Sequence, residues 1–355
     1  MSRVQTQRDN ALRVAFITPG LSCGGAERWC VSLASNFSAA VKVTGFLSGG
    51  KGQLSREAGK IARVFHVLEA PDMLAKTDVV IAWGWEYLAK TTEGFNGRII
   101  AVSHGEPGGT WQDKVTAAMS TTPRVEMVGV SSRSLDAWPN RGSGAYIPNG
   151  VEVDRVTPRR GRAATRAALG LREGHKAALF LGRLSPEKRP WLMHEVLPYL
   201  PDEWVSVVCG PDTIGYSLGA MEKDRLVVVP PVEFPGDLLA AADVFVLPSE
   251  TEAHPLALTE AWLAGVPTVY CNWPFARQIR DQFGDNLGTV VPVDLTPGTL
   301  ANALLCSQLE HARQQALRAG EISWQQFTAG AMAQRWEEFL GVSKPLIPLW
   351  AKSSP

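Results

Sequence analysis

Along most of this chain, runs of five to seven apolar, often β-branched residues alternate with longer stretches whose apolar positions recur every three or four residues. The first pattern suits strands buried on both faces, and the second suits amphipathic helices. Their alternation predicts βα units stacked into parallel sheets, an α/β protein. Strands are predicted over 12–18, 41–47, 62–68, 78–83, 98–103, 125–131 and 145–149, with helices near 25–37, 86–92, 111–120 and 132–138. A second series of strands follows at 176–182, 204–210, 225–231, 243–249 and 267–272, with a helix over 256–264. Each series reads as a doubly wound open sheet, in which ligands bind beyond the carboxyl ends of the strands. A last helix is predicted over 323–340, where Trp324, Phe327, Ala331, Met332, Trp336 and Phe339 form a packing face.

A length of 355 residues agrees with two domains. The pattern divides the chain into a polar leader over 1–11, a first domain over 12–150, a linker over 151–165, a second domain over 166–322 and a closing segment over 323–355. Arginines crowd the seam from Arg155 to Arg172, and read as a solvated linker and the polar face of a helix over 162–169. With 35 basic and 35 acidic side chains the chain carries no net charge, which speaks against nucleic-acid binding. Cys23, Cys30, Cys209, Cys271 and Cys306 are scattered and odd in number, as expected for reduced thiols of a cytoplasmic protein. No apolar run approaches the roughly 20 residues of a spanning helix.

Candidate chemistry clusters at predicted strand ends. Residues 248–267, PSETEAHPLALTEAWLAGVP, set Glu252 in a loop and Glu260 about one turn into the following helix. Two carboxylates at a helix N-terminus suit hydroxyl pairs, and the free amides there suit a phosphate. GRLSPEKRP (182–190) offers Arg183 and Lys188 to phosphates. TPGLSCGGAER (18–28) brings Gly24 and Gly25 just before a helix, where backbone amides approach a ligand closely. His104, in VSHGEPGG, follows another strand. Trp83 and Trp85 in WGWEY, and Trp111 beyond His104, are candidates for stacking on a sugar, although most of twelve tryptophans serve packing.

Together these segments resemble the family 4 retaining glycosyltransferases of GT-B fold, over about residues 13–340. The order matches: GGAER, His104, IPNGVEVD (147–154), GRLSPEK, VCGPD (208–212), and the E-x7-E pair Glu252 and Glu260. The resemblance implies two Rossmann-like domains facing across a cleft, the first on the acceptor side and the second binding the donor nucleotide. It implies that Glu252 holds donor-sugar hydroxyls and Glu260 the ribose, while Arg183 and Lys188 grip the diphosphate. Gly24 and Gly25 would border sugar and phosphate, His104 would contact the sugar near its reacting carbon, and the backbone around Gly210 and Val232 would bracket the base. The chain after residue 323 would cross back to the first domain.

Two departures bear on the sugar pocket. Ala253, His254 and Pro255 stand where relatives often have glycines, so His254 is expected to touch the donor, with Pro255 and Leu256 at the helix start beside it. NWPFARQI (272–279) replaces a double-glycine loop ending in Glu with bulky residues and Gln278. The expected protein is a retaining glycosyltransferase that moves a sugar from a nucleoside diphosphate to an acceptor hydroxyl. A glycan or lipid-linked glycan is the default acceptor; a small metabolite, a protein or a modified nucleic-acid base are others, and contact with a membrane surface is compatible. No Asp-x-Asp pair is present, so neither metal nor other cofactor is expected. The alternatives are a sugar-nucleotide epimerase of the same fold and a degenerate module that binds without catalysis.

Overall fold

A computed structural model describes residues 11–22, 24–67, 69, 71–83, 85–105, 124–136, 144–212 and 225–343. Most of the leader, Cys23, the helix predicted over 111–120 with Trp111, and the tail from 344 lie outside the described residues, as does the side chain of Trp85. The chain divides into two units, residues 1–150 with 329–355, and residues 151–328.

The first unit is built on seven parallel strands: β1 (Leu12–Thr18), β2 (Val41–Ser48), β3 (Val64–His66), β4 (Val79–Ala82), β5 (Arg98–Ser103), β6 (Val125–Gly129) and β7 (Ala145–Tyr146). Their order is β3-β2-β1-β4-β5-β6-β7, doubly wound as expected. Val14 to Ile17 are wholly buried, because helices cover both faces of such a sheet and alternation gives way to a continuous apolar run. Phe16 stacks on Phe46 at 5.5 Å and meets the edge of Trp29 at 6.4 Å. Trp29, on helix Gly25–Asn36, packs on Trp336 of helix Ala329–Leu340 at 5.9 Å.

The second unit repeats the plan with β8 (Lys176–Leu181), β9 (Trp204–Cys209), β10 (Leu226–Val229), β11 (Val244–Leu247), β12 (Thr268–Cys271) and β13 (Thr289–Val291), in the order β10-β9-β8-β11-β12-β13. In each sheet the winding reverses beside the first strand, between β1 and β4 and between β8 and β11. Such switch points open crevices at the carboxyl ends of the strands, where α/β proteins bind ligands.

Two expectations are corrected, and one strand is added. The helix predicted over 323–340 is two, Glu310–Gln326 and Ala329–Leu340. Phe327 leaves the helical region, its ring is buried in the second unit, and its carbonyl accepts from Val151 N at 2.8 Å. Trp324 is therefore no part of a common packing face; it is 52% exposed. β13, Thr289–Val291, which stands between Gly288 and Pro292 and pairs with β12, was not predicted. The arginines of the seam are not all solvated: Arg162 and Arg166 both pair with Asp243, at 2.6 and 3.1 Å, and Arg155 reaches Glu260.

Candidate functional site

In the second unit the chain leaves β8 through Gly182 and leaves β9 through Gly210. A Cβ on Gly210 would stand 1.7 Å from the Gly182 carbonyl oxygen, so only glycine lets these strand ends approach so closely. Leu184 N then donates to the Pro211 carbonyl at 2.9 Å, and a short 3-10 turn, Pro186–Lys188, carries Lys188 toward β11.

There Lys188 meets Glu252, Nζ to Oε1, at 2.5 Å, across the β8–β11 switch point. The pair is largely withdrawn from water, at 19% and 8% side-chain exposure. Ser249 Oγ donates to the same Oε1 at 2.8 Å, and Glu250 N donates to the Glu187 carbonyl at 2.8 Å. Two loops distant in sequence are thus stitched together at both main chain and side chain.

Behind them lies Arg189, the one non-glycine with positive φ among the described residues, at φ 48. Its buried guanidinium donates to the carbonyls of Pro248 at 2.6 Å, Val293 at 2.7 Å and Ser249 at 3.2 Å. The indole of Trp273 donates to the Ser249 carbonyl as well, at 2.8 Å. One rigid fork thus ties the loop that presents Ser249 and Glu252, through two of its carbonyls, to the chain just after β13.

Glu260 lies in helix Leu256–Leu263, whose N-terminus carries no side-chain cap. Its Oε1 takes Arg155 Nε and Nη2, both at 2.9 Å. Arg155 Nη1 donates to the Glu233 carbonyl at 2.6 Å, in the loop that also carries Val232, itself 40% exposed. Arg183 is exposed and stands 3.6 Å from Glu187. For Glu187, partial burial acts upward, but the Ser185 hydroxyl and the Arg183 and Lys188 charges bring its carboxyl below the usual range.

His254 is as withdrawn from water as Glu260. Its ring stacks on Phe275 at 4.5 Å, meets Phe327 edge-on at 5.3 Å, and lies 3.3 Å from Thr259 Oγ1. The ring is buried among these neighbours, in the edge and stacked arrangements that aromatic rings favour. Pro255 is buried and caps the helix; Leu256 is half-buried. Trp273 and Phe275, the bulky members of NWPFARQI, also turn into the core, and Gln278 is half-buried.

In the first unit Gly24 stands at the N-cap of helix Gly25–Asn36 after β1, and a Cβ there would first meet the flexible Glu27 side chain, at 2.2 Å from Oε2. His104 follows β5, its ring 4.6 Å from Trp29 and 6.0 Å from Trp83. Burial pushes its pKa down to about 3, so the ring is neutral at physiological pH. Nε2 of His104 and Nε1 of Trp83 are both buried with no hydrogen-bond partner among the described residues. No helix among the described residues is long and apolar enough to cross a membrane.

Arg155, Arg189, Ser249 and Trp273 escaped the sequence reading. Arginines beside other basic residues look like surface charge, and a serine or tryptophan in a loop carries no spacing. The one legible signal was the E-x7-E segment, which invites a search for cations facing both carboxylates.

Residues 161–317 match the model of the glycosyl transferases group 1. The chain is 36% identical over 150 residues to D-inositol 3-phosphate glycosyltransferase of Streptomyces avermitilis, covering 36% of this chain and 32% of that protein. It is 32% identical over 141 residues to the UDP-Gal:alpha-D-GlcNAc-diphosphoundecaprenol alpha-1,3-galactosyltransferase of Escherichia coli, covering 36% of each. The chain thus spans about a third of the length of these curated relatives. Among solved structures, Anabaena HepE in complex with UDP-glucose aligns with TM-score 0.77 at 18% identity over 94% of this chain and 100% of that one. WaaG, a glycosyltransferase involved in lipopolysaccharide biosynthesis, aligns with TM-score 0.68 at 17% identity over 92% and 100%. The fold is that of the GT-B glycosyltransferases, two parallel-sheet Rossmann-like units, and its second unit matches glycosyl transferases group 1.

Proposed function

We propose that this protein is a retaining, metal-independent glycosyltransferase that moves a sugar from a nucleoside-diphosphate sugar to a hydroxyl of a glycan or lipid-linked glycan. The observation that carries this reading is the pairing of Lys188 with Glu252 at the β8–β11 switch point. A cation fit for a diphosphate and a carboxylate fit for sugar hydroxyls there converge where a doubly wound sheet binds its ligand.

Lys188 and the exposed Arg183 take the diphosphate, whose negative charge grows as the glycosidic bond breaks; fixed cations and the N-terminus of helix Leu256–Leu263 stabilise that charge. Glu252 takes sugar hydroxyls, Glu260 the ribose, and the backbone near Gly210 and Val232 the base. Gly24 and Gly25 border the sugar and phosphate, and His104 acts as a neutral hydrogen-bonding group on the sugar. In the reaction the bond from the anomeric carbon to the diphosphate oxygen breaks and one to the acceptor oxygen forms. Both events occur on one face, and the acceptor proton passes to the departing diphosphate. His104, with its pKa near 3, is no proton donor at neutral pH.

The test incubates the protein with UDP-glucose, UDP-galactose, UDP-GlcNAc, GDP-mannose and ADP-glucose in excess chelator, with D-inositol 3-phosphate or a diphosphoundecaprenol-linked sugar as acceptor. Glycosylated acceptor and free nucleoside diphosphate support the reading. A changed sugar nucleotide without acceptor would make it an epimerase; binding with no turnover would make it a module. An absolute requirement for Mg²⁺ or Mn²⁺ would overturn the roles given to Arg183 and Lys188.

A further inference from the structure

We infer that Arg155 positions Glu260 and thereby sets a preference for ribonucleotides over 2′-deoxyribonucleotides; the inference rests on the ribose role proposed above for Glu260. Arg155 belongs to the short helix Val153–Val156, at the start of the second unit, and Glu260 to helix Leu256–Leu263. Nε and Nη2 both fall 2.9 Å from the same oxygen, Glu260 Oε1. The side chains are 15% and 7% exposed, so water competes weakly for either partner. Glu260 Oε2 has no hydrogen bond to any described residue. One carboxylate oxygen is thus consumed inside the protein, and the other is left in a fixed direction for an outside donor.

The same stretch of chain fixes the surroundings. Arg155 Nη1 holds the Glu233 carbonyl at 2.6 Å, and the Arg159 guanidinium lies 3.5 Å over the Phe234 ring. The amides of Arg159, Arg160 and Gly161 all donate to Asp237 Oδ1, at 2.8, 2.7 and 3.3 Å. Residues 155–161 therefore hold Glu260, the loop at Glu233 and Phe234, and the start of helix Gly236–Ala241 in one arrangement. A ribose offers two adjacent hydroxyls, and each gains only if the carboxylate is aimed when the nucleotide arrives; a freely turning carboxylate loses that advantage to water and side-chain entropy. The planar fork of an arginine can place two nitrogens on one oxygen, which a lysine ammonium cannot do with the same rigidity.

UDP, GDP and ADP are titrated calorimetrically into the protein, and the tightest is compared with dUDP, dGDP or dADP. The native protein is expected to prefer the ribonucleotide by roughly ten- to a hundredfold, the range of one lost hydrogen bond to a charged group. Arg155→Met should cut that preference to about threefold or less by weakening the ribonucleotide alone, and Arg155→Lys, which keeps the charge, should fall between. Arg160→Ala, which alters an exposed neighbour, should leave it unchanged. If Arg155→Met does not fold, Arg155→Lys carries the comparison, with thermal denaturation as the check on its fold. An undiminished preference in the folded Arg155 variants, or equal weakening of both nucleotides, overturns the inference alone. Equal affinity of the native protein for both forms overturns the ribose role of Glu260 and the inference with it.

Discussion

Arg189 and Glu252 never touch, yet both hang on Ser249: Arg189 Nη2 donates to its carbonyl at 3.2 Å, and its hydroxyl donates to Glu252 Oε1 at 2.8 Å. The left-handed backbone of Arg189, at φ 48, aims the guanidinium at that loop. A bulky residue in this region is strained by roughly 1–2 kcal/mol, which the hydrogen bonds to three carbonyls offset. Arg189→Gly relieves the strain and loses the fork, whereas Arg189→Ala loses the fork and keeps the strain. Both are expected to be less stable than the native protein, with Ala about 1 kcal/mol worse than Gly in chemical denaturation. Equal stability of the two variants would show that the backbone at Arg189 stores no strain.

Lys188 and Glu252 should be coupled. Removing either side of a mostly buried pair strands the other charge, so Lys188→Met and Glu252→Gln should each destabilise, and the double variant should lose less than the sum of the two. A double-mutant cycle in urea is expected to return about 1 kcal/mol or more of coupling. A value near zero would mean that the 2.5 Å contact contributes no more than an ordinary surface pair.

The two carboxylates should part ways in binding. Glu252→Ala is expected to lower turnover and leave the sugar-free nucleoside diphosphate nearly unaffected. Glu260→Ala should weaken that nucleotide roughly ten- to a hundredfold. Calorimetric titration decides the matter, and equal losses in both variants would break the assignment of sugar to one and ribose to the other.

His104 predicts an acid limb in stability. Its pKa is about 3 in the folded protein against an ordinary value of 6.5, so below 6.5 the unfolded chain binds a proton that the folded chain refuses. The stability it contributes is complete above pH 6.5 and is lost as pH falls toward 3, by up to about 1.4 kcal/mol per pH unit. His104→Phe removes this titration. Between pH 7 and 5 it should lose about 1–2 kcal/mol less than the native protein in urea unfolding. Parallel pH profiles would show that the ring is reachable by a proton in the folded state.

At least one of Trp83, Trp85 and Trp111 should line the acceptor side. Replaced one at a time by Ala, one should raise the acceptor KM several-fold with little change in donor affinity, as measured by steady-state kinetics. Unfolding of all three variants would assign these rings to packing instead.

The alternation of apolar runs with helical patterns determined both sheets, because strands covered on both faces must be apolar throughout, and that signal is local. The strand ends and the spacing of Glu252 and Glu260 were legible for the same reason: a loop and the helix after it form one continuous stretch. The three residues of β13 and the break at Phe327 were not local facts. β13 is held by its pairing with β12, and Phe327 leaves its helix because its ring is taken into the second unit's core while the next helix packs against Trp29. Tertiary structure alone decided the partners of the charges. Arg155 and Glu260 are 105 positions apart, and Lys188 and Glu252 are 64 apart. No periodicity encodes which cation meets which carboxylate; burial does, because a charge withdrawn from water must find its counterpart wherever folding has brought it. The surroundings of His254 were likewise a tertiary matter: Phe275 and Phe327, which pack on its ring, lie 21 and 73 positions further along the chain.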